Sequence, residues 1–246
     1  MNFSQKHSQS LKLDWKANYI AILDDLGAKE IKLSTYWDYI EPEASKYSFD
    51  DLDWQIEEAE KRNVQILLVI GMKTPRWPEC YIPLWATNLD KKAQQEYILD
   101  MIKNVVLRYK DKKSIIAWQV ENEIFLPFGE CPWRDKKFLK KEVSFVKSLD
   151  NTMPVVVSDS GEYSLWLQAA SIGDIVGITM YKKVWFKEIK MYISYFFSAV
   201  FYTNRANLIK KIFGKDISCV ELQAEPWGVK LLYDMPLEEQ KRSMNL

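Results

Sequence analysis

The strongest constraint on this chain is an alternation of two hydrophobic periods. Short, nearly continuous apolar runs, the mark of strands buried on both faces, alternate with longer stretches whose apolar residues recur every three or four positions. The clear strands are Ile31 to Tyr36, Gln65 to Gly71, Ser114 to Glu121, Met153 to Ser158, Asp174 to Tyr181 and Ile217 to Gln223. The first helical stripe is Trp15, Tyr19, Ile22, Leu23 and Leu26, with Asp14 as N-cap and Gly27 as its stop. Ser48-Phe49-Asp50-Asp51 reads as a capping box opening a helix through about Arg62. Asn88 is placed to cap a long helix with the stripe Tyr97, Ile98, Met101, Val105 and Tyr109. Further helices are expected over Phe138 to Leu149, Ser164 to Ser171, an aromatic-rich region ending near Gly214, and Leu237 to Met244.

Strands that alternate with helices imply parallel β–α units. With one more strand at or before Asn2-Phe3-Ser4, seven strands in 246 residues predict a single (β/α)8 barrel domain over 1–246. Its first strand looks clipped and no eighth strand is visible after Trp227, so the expectation is a barrel truncated at both ends. The rival is an open doubly wound sheet, whose glycine fingerprint is missing.

Residue types narrow the chemistry. The single histidine, His7, removes most imidazole-based catalysis and every multi-histidine metal site. Three cysteines lack zinc spacing, and no glycine-rich phosphate loop is present, so neither a metal nor an organic cofactor is expected. With 34 basic and 34 acidic residues, nucleic acid is not the expected partner. No apolar run reaches the ~18–20 residues that span a bilayer, and the segment from Met1 to His7 is too polar for a secretory signal. Localisation and oligomeric state are left open. The 14% aromatic content suits a large core, a sugar-binding cleft, or both.

In such a barrel, functional side chains stand where strands end. The strand expected fourth runs into Gln119-Val120-Glu121-Asn122-Glu123, and the seventh ends Cys219-Val220-Glu221-Leu222-Gln223. Two rim carboxylates on separate strands can split an acetal: one stays protonated to release the leaving oxygen, the other stays ionised to attack the anomeric carbon. Glu123 and Glu221 are the expected catalytic pair. Asn122, beside the acid, is placed to hold a sugar hydroxyl. The competing reading is that both are ordinary surface carboxylates.

These segments resemble the retaining glycoside hydrolases whose acid/base and nucleophile follow barrel strands four and seven. Trp118 to Glu123 is similar to their acid/base segment and Val220 to Gln223 to their nucleophile segment. Tyr36 to Glu43, then Tyr47-Ser48-Phe49 and Asp53, resembles their W-x-x-I-E-P, Y-x-F and D pattern; Pro75-Arg76-Trp77-Pro78 resembles the loop after strand three. The resemblance, over roughly residues 3 to 228, is greatest to family 5 cellulase-like enzymes and next to family 42 β-galactosidases. It implies a barrel that hydrolyses a β-linked poly- or oligosaccharide by double displacement. Glu221 would be the nucleophile and Glu123 the acid/base, with Tyr181 bonded to the nucleophile. The alternative is a non-catalytic carbohydrate-binding barrel or an inactive truncated hydrolase. Two departures stand out. Lys32 occupies the place of an arginine beneath the nucleophile, and Thr179 that of a histidine two residues before Tyr181.

Other residues carry two readings each. Glu225 is an alternative nucleophile. Glu121, two residues before Glu123, is either a cleft carboxylate or part of a structural ion pair. Asp159 and Glu162 either bind sugar hydroxyls or cap the next helix, and His7 either touches sugar or stands in a solvated loop. Trp37, Trp77, Trp133 and Trp227 follow strand ends and either stack on sugar or fill core, whereas Trp15, Trp54 and Trp166 read as core. Cys80 and Cys131 fall in the loops after strands three and four and are placed to form a disulfide, which would imply an oxidising compartment. Cys219 reads as a buried core residue, and Met191 to Tyr202 as a segment packed on the barrel.

Overall fold

The computed structural model describes residues 1–186 and 191–223. Six strands form one parallel sheet in the order β1-β2-β3-β4-β5-β8: β1 (Glu30–Ser34), β2 (Gln65–Ile70), β3 (Ile115–Val120), β4 (Val155–Asp159), β5 (Ile175–Met180) and β8 (Asp216–Leu222). A two-stranded antiparallel hairpin, β6 (Lys183–Phe186) and β7 (Met191–Ser194), stands between β5 and β8 in the chain. The helices are α1 (Gln5–Ser10), α2 (Trp15–Asp24), α3 (Trp37–Ile40), α4 (Asp50–Glu60), α5 (Lys91–Tyr109), α6 (Lys136–Leu149), α7 (Leu167–Ala170) and α8 (Ala199–Phe213). Each parallel crossover thus carries a helix, as this connection requires.

The expected first strand is reduced to one bridge. Asn2 pairs parallel with Lys32, Phe3 N–H donates to the Lys32 carbonyl at 3.1 Å, and Lys32 N–H to the Met1 carbonyl at 2.8 Å. The strand expected fourth is therefore β3, and the seventh is β8.

A flat sheet of six strands would hold its edges about 24 Å apart. Yet Lys32 on edge strand β1 reaches Glu221 on edge strand β8 at 2.9 Å. The sheet is curled into a barrel wall, with these two side chains meeting across its interior. The architecture is that of the (β/α)8 barrel, with six of its strands present among the described residues.

Both faces of the sheet are buried, which is why the strands read as continuous apolar runs. On the outer face, Ile66, Leu68, Trp118, Val155 and Val157 join the core beneath the helices, with Met101, Val105 and Leu139. On the inner face, Ala117, Val156 and Val220 form a separate apolar cluster with Leu67 and Ile175. Toward the C-terminal strand ends this apolar layer gives way to buried polar residues: Lys32, Gln119, Ser158, Thr179 and Glu221.

Three local expectations differ from the structure. Phe49, not Ser48, is the N-cap of α4, and its side chain makes no capping bond; the carboxylates of Asp50, Asp51 and Asp53 fill the first turn, where the helix dipole favours them. Asp90, not Asn88, caps α5 by accepting from Ala93 N–H. The aromatic stretch from Met191 begins as strand β7 and turns helical only at Ala199. There Phe197, Phe201 and Tyr202 pack on the core, while Phe196 is 92% exposed.

Candidate active site

The polar layer at the strand ends gathers around two carboxylates. Glu221 is 8% exposed. Lys32 Nζ donates to its Oε1 at 2.9 Å, and Tyr181 Oη–H to its Oε2 at 2.7 Å. A register step delivers it there. Pairing moves from Ile178↔Cys219 to Thr179↔Glu221, so Val220 is the extra residue of a bulge. Val220 fills the inner apolar cluster, and Glu221 is re-aimed at Lys32, the kind of adjustment bulges make beside sites.

Glu123 lies three residues past the end of β3, in the left-handed region at φ 43°. Ser158 Oγ accepts its N–H at 2.9 Å, and Thr179 Oγ1–H donates to its Oε1 at 3.0 Å. Since Thr179 is the register partner of Glu221, the two carboxylates share one pocket.

Their environments push them in opposite directions. Burial, then the negative charge of Glu221, drives Glu123 up to about 8, against the opposing pull of Lys73 and Thr179. Burial also pushes Glu221 up, but the charge of Lys32, the hydrogen bonds from Tyr181 and Lys32, and the charge of Arg76 outweigh it. They hold Glu221 below the ordinary carboxylate value. At neutral pH one carboxyl carries a proton and its neighbour does not.

Beneath the pair runs a supporting network, of which sequence reasoning missed Lys73 and Glu79. Lys73, fully buried, donates to the carbonyls of Asn122 at 2.8 Å and Glu123 at 3.3 Å and pairs with Glu79 at 2.5 Å. Burial raises Glu79 to about 7, with Lys73 opposing. The signal for Lys73 was present: a charge three residues past the end of β2 stands at the rim. Glu162 is a second organiser. Its Oε1 accepts from Tyr181 N–H at 2.6 Å and Tyr202 Oη at 3.2 Å, and Ser160 Oγ donates to its Oε2 at 3.2 Å. It caps no helix, because α7 begins after Trp166.

Four expectations need correction. Glu121 does not share a face with Glu123: β3 ends at Val120, and φ 58° at Glu121 turns its side chain away. Its carboxylate accepts from Met72 N–H at 2.8 Å and Lys73 N–H at 2.6 Å, beside the buried Glu142. It is structural, though it makes no ion pair among the described residues. Trp37 is completely buried, donates Nε1–H to Glu41 Oε2 at 2.8 Å and packs edge-on against Trp85, so no sugar can reach it. Asp159 closes its own turn, accepting from Ser160 N–H at 2.9 Å and Ser164 Oγ at 2.5 Å, which leaves little of it for a ligand. Cys219 is exposed rather than buried, because β8 is an edge of the sheet formed by the described residues.

Asn122 is buried within the site, its Oδ1 accepting from Gln119 Nε2 at 3.2 Å. Trp77 is 52% exposed on the loop after β2, edge-on to Phe128. Trp133 packs inward against Phe138, with Nε1–H donated to Gln94. His7 stands exposed on α1. Trp227, Glu225 and the helix expected near Leu237 lie outside the described residues. Cys80 and Cys131 are disulfide-bonded, with Cα atoms 5.2 Å apart. Among the described residues no cluster of three His, Cys, Asp or Glu side chains could hold a metal ion. No helix among them is long and apolar enough to cross a membrane.

Against known proteins, residues 23–144 match the model of glycosyl hydrolase family 10. The match covers β1 to β3, the Glu123 loop and most of α6. Over 178 residues, 61% of this chain and 26% of the relative, it is 26% identical to β-galactosidase BgaA of Clostridium cellulovorans. Over 110 residues, 44% of this chain and 31% of the relative, it is 34% identical to endo-1,4-β-xylanase 2 of Claviceps purpurea. The chain thus spans less than a third of the length of either relative. Among solved structures, xylanase 10B of Thermotoga maritima superposes with a TM-score of 0.63 at 16% identity, covering 92% of this chain and 74% of that one. The β-galactosidase of Rahnella sp. R3 does so at 0.62 and 13%, covering 94% and 45%. The fold is the (β/α)8 barrel that these solved structures share. The matching family model is family 10, and neither family 5 nor family 42 is singled out.

Proposed function

We propose that this chain is a retaining glycosidase acting on β-linked oligo- or polysaccharides. The observation that carries this reading is the pair of buried carboxylates in one pocket, Glu123 held protonated and Glu221 held ionised. Glu221 attacks the anomeric carbon while Glu123 gives its proton to the departing oxygen, and a glycosyl ester forms on Glu221. Glu123, now ionised, takes a proton from water, which attacks the ester and releases the sugar with its configuration retained. Lys32 and Tyr181 keep Glu221 anionic and aimed, Asn122 holds a hydroxyl of the reacting sugar, and Trp77 stacks on a neighbouring unit.

The relatives suggest the first substrates to try: β-1,4-xylan and β-galactosides, then β-glucans. A screen of aryl β-glycosides and these glycans tests the reading, with Glu123→Gln and Glu221→Gln as controls. Turnover by the parent that drops at least about a thousandfold in Glu221→Gln supports it. Binding without turnover by the parent would replace it with a carbohydrate-binding barrel.

A further inference from the structure

Two adjoining cavities, about 330 and 260 Å³, open beside the loops that follow β3 and β4 and share Phe125, Lys136 and Gln168. They form one groove beside the Glu123 loop: Leu126, which lines it, donates its N–H to the Glu123 carbonyl at 2.9 Å. Phe125 stands two residues after Glu123, and Ser160 two residues after Ser158, whose hydroxyl accepts the Glu123 N–H.

The groove is basic. Lys136, Lys137 and Lys140 line it, and none makes an ion pair with a carboxylate among the described residues. Lys136 and Lys137 occupy the first turn of α6, where the helix dipole disfavours a cation and no acidic side chain offsets them. The N-cap carboxylate, Asp135, is committed elsewhere: it caps Lys137 and Phe138 and pairs with Lys91 at 2.6 Å. The one acidic residue lining the groove, Asp159, is 2% exposed and held by Ser160 and Ser164. The far wall adds the half-buried ring of Phe125, with Lys136 Nζ 5.5 Å from its centroid, and the exposed ring of Tyr163. Ring faces beside unpaired ammonium groups are the chemistry that binds a sugar carrying an anionic substituent.

We infer that this groove is a subsite for an acidic sugar unit, bearing a carboxylate or a sulfate ester, on the leaving-group side of the substrate. The inference rests on the glycosidase reading for its orientation but not for its binding chemistry.

The test uses three β-linked oligosaccharides of equal length: one neutral, one with a hexuronate at the leaving end, one with a sulfate ester there. Binding to the Glu123→Gln variant and hydrolysis by the parent are both measured at low and high salt. The expected result is about tenfold tighter binding and higher kcat/KM for an acidic substrate at low salt. Salt should shrink this advantage, and the Lys136→Glu/Lys140→Glu variant should bring the ratio to about one. Preference for the hexuronate alone or the sulfate alone identifies the substituent. Hydrolysis of the neutral substrate with no acidic preference overturns the subsite and leaves the glycosidase standing. Acidic preference in binding without hydrolysis of any substrate does the reverse. Equal binding of all three overturns the subsite whether or not hydrolysis is seen.

Discussion

Lys32 and Glu221 sit on opposite edges of the sheet, and their contact sets the site's charge. A Lys–Glu pair this buried costs desolvation that its attraction only partly offsets, which suits a functional role better than a stabilising one. For activity, Glu221 must be ionised and Glu123 protonated. The acid limb of the rate profile should therefore lie below the ordinary carboxylate value and the basic limb near pH 8. Lys32→Met should move the acid limb to higher pH and cut kcat/KM by about a hundredfold, whereas Lys32→Arg should leave the limb in place. The linkage to stability runs the same way. Between its ordinary value of 4.5 and about 8, Glu123 holds a proton in the folded state that the unfolded chain has released. Its stabilising contribution is complete below that window and lost as pH rises through it. Urea unfolding at pH 5 and pH 8.5 should show this loss in the parent and a smaller one in Glu123→Gln, the remainder coming from Glu79, which burial raises to about 7.

Among elements, the parallel strands and most helices were legible because both sheet faces are buried, which gives unbroken apolar runs. The β6–β7 hairpin was not. Lys183 to Phe186 and Met191 to Ser194 are short aromatic runs, and such runs do not distinguish strand from helix by period alone. At the site, Glu123 and Glu221 could be picked out because rim positions are countable from strand ends. Glu121 could not be placed, because a regular alternation predicts the wrong face once the backbone turns left-handed. Lys73 stands at a countable rim position, but its contacts to the Asn122 and Glu123 carbonyls, and those of Glu162 to Tyr181 and Tyr202, join residues far apart in the chain, which no local pattern reveals. Gly71, next to this turn, makes a sharp test. Its φ is +114°, and an added Cβ would meet Glu121 Oε1 at 2.5 Å. Gly71→Ala should destabilise by about 3 kcal/mol in urea unfolding. Gly27→Ala, at φ +60° with nothing within 4 Å, should cost only about 1 kcal/mol.

At the scale of the whole molecule, two loops of the barrel rim are tied together beside the site. The Cys80–Cys131 bridge closes a span of 51 residues and adjoins Glu79, which pairs with Lys73 under the Glu123 carbonyl. Reduction should lower unfolding stability by about 3 kcal/mol, seen as a drop in Tm. Mass spectrometry without reductant should find one free thiol, Cys219. The barrel wall itself makes the broader claim: curling brings β1 and β8 together, so residues remote in sequence act as one site. The most direct measurement is to incubate the protein with a 2-deoxy-2-fluoro analogue of any glycoside turned over in the substrate screen, then map the labelled peptide. The account predicts a single glycosyl ester on Glu221, absent from Glu221→Gln. An ester on another carboxylate, or hydrolysis with inverted configuration and no adduct, would contradict it.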